Sequence, residues 1–530
     1  MIETLKARCN ALLDLYLPER RAMALLRAQW GRPGSKDQPF AARWFALLRG
    51  ARALVDDKTW DDLEFPRIFA VLDTTVTPIG SQALYRQLRE YLDEPVALAA
   101  RHALHQRLRD EPVLRERLQR QLLPLEEPAF AHVADVLHAE SLEAPTHRVA
   151  LSLWGAAMLA WLVVVALCGW SPWCWLALVP VNLVVLYRHA GRRHRELLAL
   201  NGCLRVMRVA DRLASAPELP QQLALRSERA ARDAVRRKLL LAQTFNWVPD
   251  FLTLLLNFGF LFELVIYLWS VERFLRVRHR LHASFALVGE LDAALAGASA
   301  LAMYPQHCVP VLTDAVQLEI KQGRHPLLPD GVANTLCLAQ RSALVTGSNM
   351  AGKTTFVKML ATNLILGRTL GFCLAQRAVL PRLPVMAAVQ GVHSVESGKS
   401  HYFAQIEAIA GFLDCAARGR GGLFVLDEPF SGTNTVERIA IACAVLRALG
   451  QDSLVLVTSH DVELQALLGE RYGLYHFQED PEVDGYFDYR LRAGAARQRN
   501  AIRMLARMGF PAPIIDVAMR RAADSGHAPA

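Results

Sequence analysis

Hydrophobic positions along this chain fall into three distinct patterns. Near the start, Leu63 to Arg89 contains the turn Thr75-Val76-Thr77-Pro78-Ile79-Gly80, after which apolar residues recur at helical spacing; a helix opening at Pro78 is predicted. In the middle, Val149 to Leu167 is apolar without a break, Gly169-Trp170-Ser171-Pro172 reads as a turn, and Trp173 to Tyr187 is apolar again. Soluble cores seldom hold helices that are apolar on every face, so this pair reads as a helical hairpin of membrane type. A further run, Phe251 to Trp269, is interrupted by Asn257 and Glu263 and continues through Val271 to Leu281 as one helical pattern. It is expected to be a buried or interfacial helix of the core, with a third membrane span as the alternative. The last third instead has short apolar runs, Ala343 to Val345, Leu423 to Leu426 and Leu454 to Val457, as fully buried parallel strands do.

Chemistry sits where those strands end. The first is followed by Gly347-Ser348-Asn349-Met350-Ala351-Gly352-Lys353-Thr354, and Thr355 opens a helix-like stretch. Strand, glycine-rich loop and helix in this order make a Walker A phosphate cradle. Backbone N–H groups turn onto the phosphates and the helix N-terminus adds partial positive charge, while Lys353 reaches the β and γ oxygens and Thr354 offers its hydroxyl to Mg2+. The second run ends in Asp427 and Glu428, which suits a Walker B strand: Asp427 for the metal shell, Glu428 to orient and deprotonate the attacking water. The third leads to His460-Asp461, where a histidine beside the γ-phosphate can sense it. Together these predict an ATP- and Mg2+-dependent hydrolase with its site at the carboxyl ends of parallel strands. An ABC-type ATPase would carry Leu-Ser-Gly-Gly-Gln shortly before the second strand, and 401–422 contains no such signature.

Several stretches resemble the MutS family of mismatch-repair ATPases. Gly347 to Thr355 is similar to that family's Gly-Pro-Asn-Met-Gly-Gly-Lys-Ser-Thr, and the Asn349-Met350 pair is far more particular than a generic cradle. Gly323-Arg324-His325-Pro326 matches four family residues upstream, Ser397 to Phe403 resembles Ser-Gly-Arg-Ser-Thr-Phe, and Asp427 to Thr435 resembles Asp-Glu-Ile-Gly-Arg-Gly-Thr-Ser-Thr. Phe487 to Gly494 and Met508 to Pro511 resemble the closing motif, so the likeness covers about 316–520 and extends more weakly to 63–89. It implies a dimer that sandwiches ATP, with His325 at the nucleotide and Ser400 reaching across to the nucleotide of a second subunit. It also implies double-stranded DNA as a partner. Departures stand at Gln405, where relatives often carry an acid, and at Pro429-Phe430-Ser431; residues 1–50 show no mismatch-reading Phe-x-Glu wedge.

Composition changes this picture in one place. The chain has 530 residues, enough for about three domains, and its high apolar share of 52% has a local source, the hairpin. Val149 to Leu167 is long enough for a bilayer core; the second stretch, at roughly 15 residues, is short against the usual ~17–25. Trp170, Trp173, Trp175 and Tyr187 mark the ends, as an aromatic belt would. Arg148 precedes the pair and Arg188, Arg192, Arg193 and Arg195 follow it, which predicts a two-span membrane protein with both flanks, and hence the ATPase, in the cytoplasm. No signal peptide is read in the first residues, where Glu3 comes at once. The net charge of +9 is spread over Arg-rich helices interleaved with acids and alanines, which are solvated or membrane-surface faces rather than a nucleic-acid motif. Nine scattered cysteines without a Cys-x-x-Cys pair support neither a zinc site nor a disulfide scaffold.

The expected architecture is an α/β P-loop NTPase domain of MutS/ABC type at 316–530. It is preceded by a helical region with a core-like segment at 1–145, a transmembrane hairpin at 146–190 and a lever-like helical region at 191–315. The expected function is a membrane-anchored MutS-like ATPase that switches a dimeric clamp on DNA. The alternative is an ATP-driven membrane switch or scaffold without mismatch recognition.

Overall fold

The computed structural model describes residues 18–35, 40–48, 55–138, 148–171, 173–238, 256–339, 341–348, 351–389, 401–419, 421–450, 453–479, 487–495 and 509–524. The chain forms two compact units that interleave in sequence: Met1–Ala51, Leu72–Arg86 and His105–Ala302 make one, and Arg52–Val71, Gln87–Leu104 and Met303–Ala530 the other. Residues 52–71 and 87–104, which lie inside the 1–145 block of the sequence, group with the C-terminal sheets.

Among its described residues the first unit is helical. The turn before Pro78 is held by two buried carboxylates. Asp292 accepts from Val76 N at 2.8 Å, Thr77 N at 2.7 Å and Thr77 Oγ1 at 2.7 Å, while Asp73 accepts from Thr75 Oγ1 and Ser81 Oγ, both at 2.6 Å. Thr77 also caps the helix Pro78–Arg89, its Oγ1 accepting from Gly80 N at 3.0 Å. Gly80 is required because a Cβ there would lie 2.1 Å from Asp292 Oδ2. Thus Thr-x-Thr-Pro-x-Gly is a socket for a buried aspartate carried by the distant helix His282–Met303.

The hairpin region comprises the helix Arg148–Leu167, a turn at Gly169 with φ +62, the short helix Trp173–Leu176, and a helix Val179–Ser215 of 37 residues. The second apolar stretch does not end as a separate helix at Tyr187 but runs on into the helical body of the unit. Among the described residues two helices are long and apolar enough to cross a membrane, Val149–Leu167 and Arg278–Met303. They differ in surroundings: 17% of the first one's most apolar window is buried against 78% of the second's. The stretch after Phe251 also departs from the single helical pattern expected of it. Its described part breaks at Leu261, φ +55, before the helix Phe262–Leu275, and again in the 3-10 turn Arg278–Leu281.

In the second unit ten strands among the described residues form two sheets. One has the order β1-β5-β2-β3, from Val311–Thr313 (β1), Gln317–Gly323 (β2), Asn334–Ala339 (β3) and Arg377–Pro381 (β5). The other has the order β10-β9-β4-β8-β7-β6, from Ser342–Thr346 (β4), Val385–Ala388 (β6), Leu423–Asp427 (β7), Leu454–Ser459 (β8), Tyr472–Glu479 (β9) and Phe487–Ala493 (β10). β9, β4, β8, β7 and β6 run parallel and β10 adds an antiparallel edge. β4, β7 and β8 are buried at every position, which explains their unbroken apolar runs. Leu344, Phe424, Leu426 and Val457 pack with Phe412 and Leu446 from the helices beside them. At the β6 edge, Ala387 N donates to Thr59 Oγ1 at 3.0 Å and Val389 N to Asp62 Oδ2 at 2.9 Å, so an N-terminal helix covers the exposed ladder.

Candidate functional site

Strand register brings the predicted residues together. Thr346 pairs with Ser459 and Asp427 with Thr458, so the carboxyl ends of β4, β7 and β8 lie side by side. β4 passes into the loop at Gly347, φ +139, and the loop closes at Gly352, φ +95, the N-cap of the helix Lys353–Thr369. Gly347 is needed for more than its dihedral: a Cβ there would stand 2.8 Å from the Phe477 carbonyl oxygen. Ser348 Oγ is buried with no hydrogen-bond partner among the described residues, and Ala351 N closes the loop onto Ser348 O at 3.2 Å. Asn349 and Met350 lie outside the described residues, as do Ser397 to Ser400.

Lys353 is 1% exposed; its Nζ donates to Gly347 O at 2.6 Å and stands 3.4 Å from Glu428 Oε1. Burial lowers the ammonium pKa, opposed by Glu428 and Asp427. Thr354 Oγ1 donates to Asp427 Oδ2 at 2.8 Å, and the other oxygen of Asp427 accepts from Thr458 Oγ1. One hydroxyl and one carboxylate in contact form a donor set of the kind Mg2+ takes when it keeps waters and substrate phosphates in its remaining positions.

Glu428 follows with a left-handed backbone, φ +45, and Phe430 with φ +62, conformations that cost side-chain-bearing residues about 1–3 kcal/mol each. Neighbouring bonds enforce them. Glu428 N donates to Thr458 O at 3.2 Å and Thr458 Oγ1 at 3.1 Å, and Phe430 N donates to Gln405 Oε1 at 2.8 Å. Glu428 Oε2 lies 3.6 Å from His460 Nδ1, and His460, with its side chain 43% exposed, sits 3.7 Å from Asp461 through Nε2. A largely buried carboxylate with an imidazole on one side and an ammonium on the other can accept a proton from a bound water and pass it on.

Beside the loop is a cavity of about 410 Å³ lined among others by His325, Asn334, Thr355, Met359, Phe477 and Tyr489. His325 is buried; burial depresses its pKa to about 4, and it is held by Leu327 N, which donates to Nδ1 at 3.2 Å. Its Nε2 has no partner among the described residues. A neutral ring, an apolar floor and an orphaned polar atom suit a flat heteroaromatic ligand adjoining the loop.

Sequence reasoning missed several contributors. Arg438 grips Asp461 with two bonds, Nε to Oδ2 at 2.9 Å and Nη2 to Oδ1 at 2.6 Å, and Asp461 raises the Arg438 pKa. Gln465 Nε2 donates to Thr346 Oγ1 at 2.9 Å. Thr458 and Gln405 hold the carboxylate strand end, and only the hydroxyl-bearing end of the third apolar run gave any sign of the former. Gln405 stands out in sequence only as a departure from the family, and its role emerges from the loop it holds.

Residues 343–524 match MutS domain V. The chain is 31% identical over 264 residues to the DNA mismatch repair protein MutS of Natronomonas pharaonis, covering 46% of this chain and 30% of that one. To DNA mismatch repair protein MutS of Thermus aquaticus it is 30% identical over 257 residues, covering 46% and 31%. To DNA mismatch repair protein msh3 of Emericella nidulans it is 29% identical over 250 residues, covering 43% and 22%. Residues 343–524 thus make up a MutS domain V, and it is through this domain that the chain is related to the MutS family. It spans under a third of the length of those three relatives.

Proposed function

We propose that this protein is a membrane-anchored, Mg2+-dependent P-loop ATPase of mismatch-repair-related ancestry that works as a dimer on DNA. The observation that carries the enzymatic part is the 2.8 Å bond between Thr354 and Asp427, which joins the helix after the loop to the end of β7. ATP lies with its phosphates in 347–354, where Gly347, Ser348, Asn349, Met350, Ala351 and Gly352 supply backbone donors and Lys353 and Thr355 flank them. The neutral His325 faces the base end of the nucleotide from the adjoining cavity. Thr354 and Asp427 hold Mg2+, which when bound supplies positive charge against the negative charge that grows on the phosphate oxygens. Glu428 orients water and takes its proton, and His460, 3.6 Å away, carries that proton off or reads the γ-phosphate. Ser400 completes the site of a second subunit. Hydrolysis measured with and without EDTA tests this directly, and magnesium-independent turnover would sink it.

For anchoring, the support is the hairpin's surface. Leu153, Leu159, Val163, Leu167, Val184 and Tyr187 are exposed, unlike the mostly buried apolar helix that ends at Met303. Membrane lipid covers them, with the flanking arginines and the ATPase in the cytoplasm. The domains of this reading are the helical 1–145, the hairpin 146–190, the helical 191–315 and the ATPase 316–530. DNA as partner follows from the relatives' names; the second reading is a switch or scaffold without mismatch recognition. A salt-dependent titration of the detergent-solubilised protein with duplex DNA separates them: affinity that falls steeply with salt favours the first, and no binding at low salt the second.

A further inference from the structure

We propose that residues 256–275 form a re-entrant element that dips into the membrane beside the hairpin and returns to the same side, with Asn182 as its clasp; this rests on the hairpin reading above. The chain breaks at Leu261, so the turn before it has carbonyls with no helical partner. In hydrocarbon an unpaired carbonyl is costly, and broken backbone is tolerated there only where protein shelters it. Asn182 supplies what is missing. Completely buried in the apolar half of its helix, it donates from Nδ2 to Phe258 O at 2.8 Å and Gly259 O at 2.9 Å, while its Oδ1 accepts from the Trp154 indole at 2.8 Å. An amide that binds two carbonyls and an indole N–H suits a site without water. Leu261 is itself fully buried.

The depth is set by what the break touches. Gly155 lies two turns into its helix from Arg148, roughly 10 Å of rise, and a Cβ there would stand 2.6 Å from the Phe260 carbonyl oxygen. The ring of Trp175 packs on Phe260 at 5.8 Å between centroids. From the break the helix Phe262–Leu275 runs back toward the arginine-flanked end, where Trp269 Nε1 donates to Ser152 Oγ at 3.0 Å, and continues into Arg273, Arg276, Arg278 and Arg280. The helix Arg229–Lys238 packs on the turn Arg278–Leu281, and Arg232 Nη1 donates to Ser284 Oγ at 3.2 Å. The described flanks on either side of the element, Arg229–Lys238 and Arg278–Leu281, therefore share one side.

The test replaces Phe262, and in a second protein Arg276, with a spin-labelled non-natural residue in the full chain, which leaves the native cysteines in place. In sealed vesicles the label at 262 should be broadened by oxygen and sheltered from an aqueous nickel chelate, and the label at 276 should be reduced by ascorbate only from the cytoplasmic face. Asn182→Leu should raise nickel access at 262 several-fold. Chain retained in carbonate-washed membranes but with 262 open to nickel, or 276 reduced from the far face, overturns the re-entrant element and leaves the hairpin standing. Unchanged access in Asn182→Leu overturns the clasp. Extraction of the whole chain by carbonate removes the hairpin reading, and this one with it.

Discussion

At the carboxyl ends of β4, β7 and β8, Lys353, Asp427, Thr458 and Asp461 are all buried and polar; along the helices around Val149–Leu167 and Val179–Tyr187, large apolar side chains stand exposed. These are the two departures from ordinary soluble packing that carry information, since exposed single apolar residues and buried apolar cores are found everywhere. In the first region Lys353, Asp427, Thr458 and Asp461 each have a partner that fixes the side chain's angle, so the chemistry is legible from pairwise geometry. In the second, the informative feature is the apolar surface itself, with side chains such as Leu153, Leu159 and Val184 exposed. Asn182 is the place where the rules of the first region appear inside the second.

The contrast breaks outright if the apolar surface meets water. The full chain should stay in the pellet after alkaline carbonate, and a cysteine placed by Ser171→Cys should react only from the face opposite the cytoplasm. Recovery in the supernatant, or labelling only from the cytoplasmic side, would make the hairpin an interface between proteins instead. Next in size is the division of labour among the buried polar groups. Glu428→Gln should bind ATP yet turn over about a hundredfold more slowly or worse, whereas Lys353→Ala should lose binding as well; equal loss of affinity in the two would show the roles to be misassigned.

Much of the polar region could be read from residues alone, because its strands are short apolar runs and its loop has a spacing that few other structures use. The structure adds the contacts between distant segments. Nothing near Arg438 in sequence announces Asp461, and nothing near Pro78 announces Asp292, because such pairs are set by helices that meet only in the fold. The hairpin's length and turn were legible, but its second helix was not, since helical periodicity continues unbroken through the arginines into the body. The break at Leu261 was invisible for a related reason. Leucine gives no signal of left-handed backbone, and the groups that stabilise the break lie on other helices.

A third prediction asks how far the buried polar pairs sustain the fold. Arg438 and Asp461 are 12% and 7% exposed at their side chains, so Arg438→Ala leaves a carboxylate largely out of water without its bidentate partner. A loss of about 3 kcal/mol in urea unfolding is expected, with part recovered in the double variant Arg438→Ala/Asp461→Asn. A cost no larger than a surface pair's, with no recovery, would place the pair among solvated ions and blur the line between the two regions.

The smallest effect concerns His325, a buried base whose pKa lies at about 4 against the 6.5 of a free imidazole. Between those values the unfolded chain binds a proton that the folded one refuses. Stability from this group is therefore complete above about pH 6.5 and is lost as pH falls toward 4, by about 3 kcal/mol. His138 in the helical unit is depressed in the same direction to about 4, by burial first and then by the neighbouring charge of His282, so the wild-type slope contains both. His325→Gln keeps an acceptor for Leu327 N and removes the titration. Its stability–pH curve should be flatter than the wild type's between pH 4 and 6.5, and His138→Gln should flatten it independently. If saturating ATP seals the cavity around a neutral ring, the nucleotide should steepen the His325 share of the slope and leave the His138 share unchanged. A nucleotide effect equal in both variants would detach His325 from the nucleotide and return it to the core.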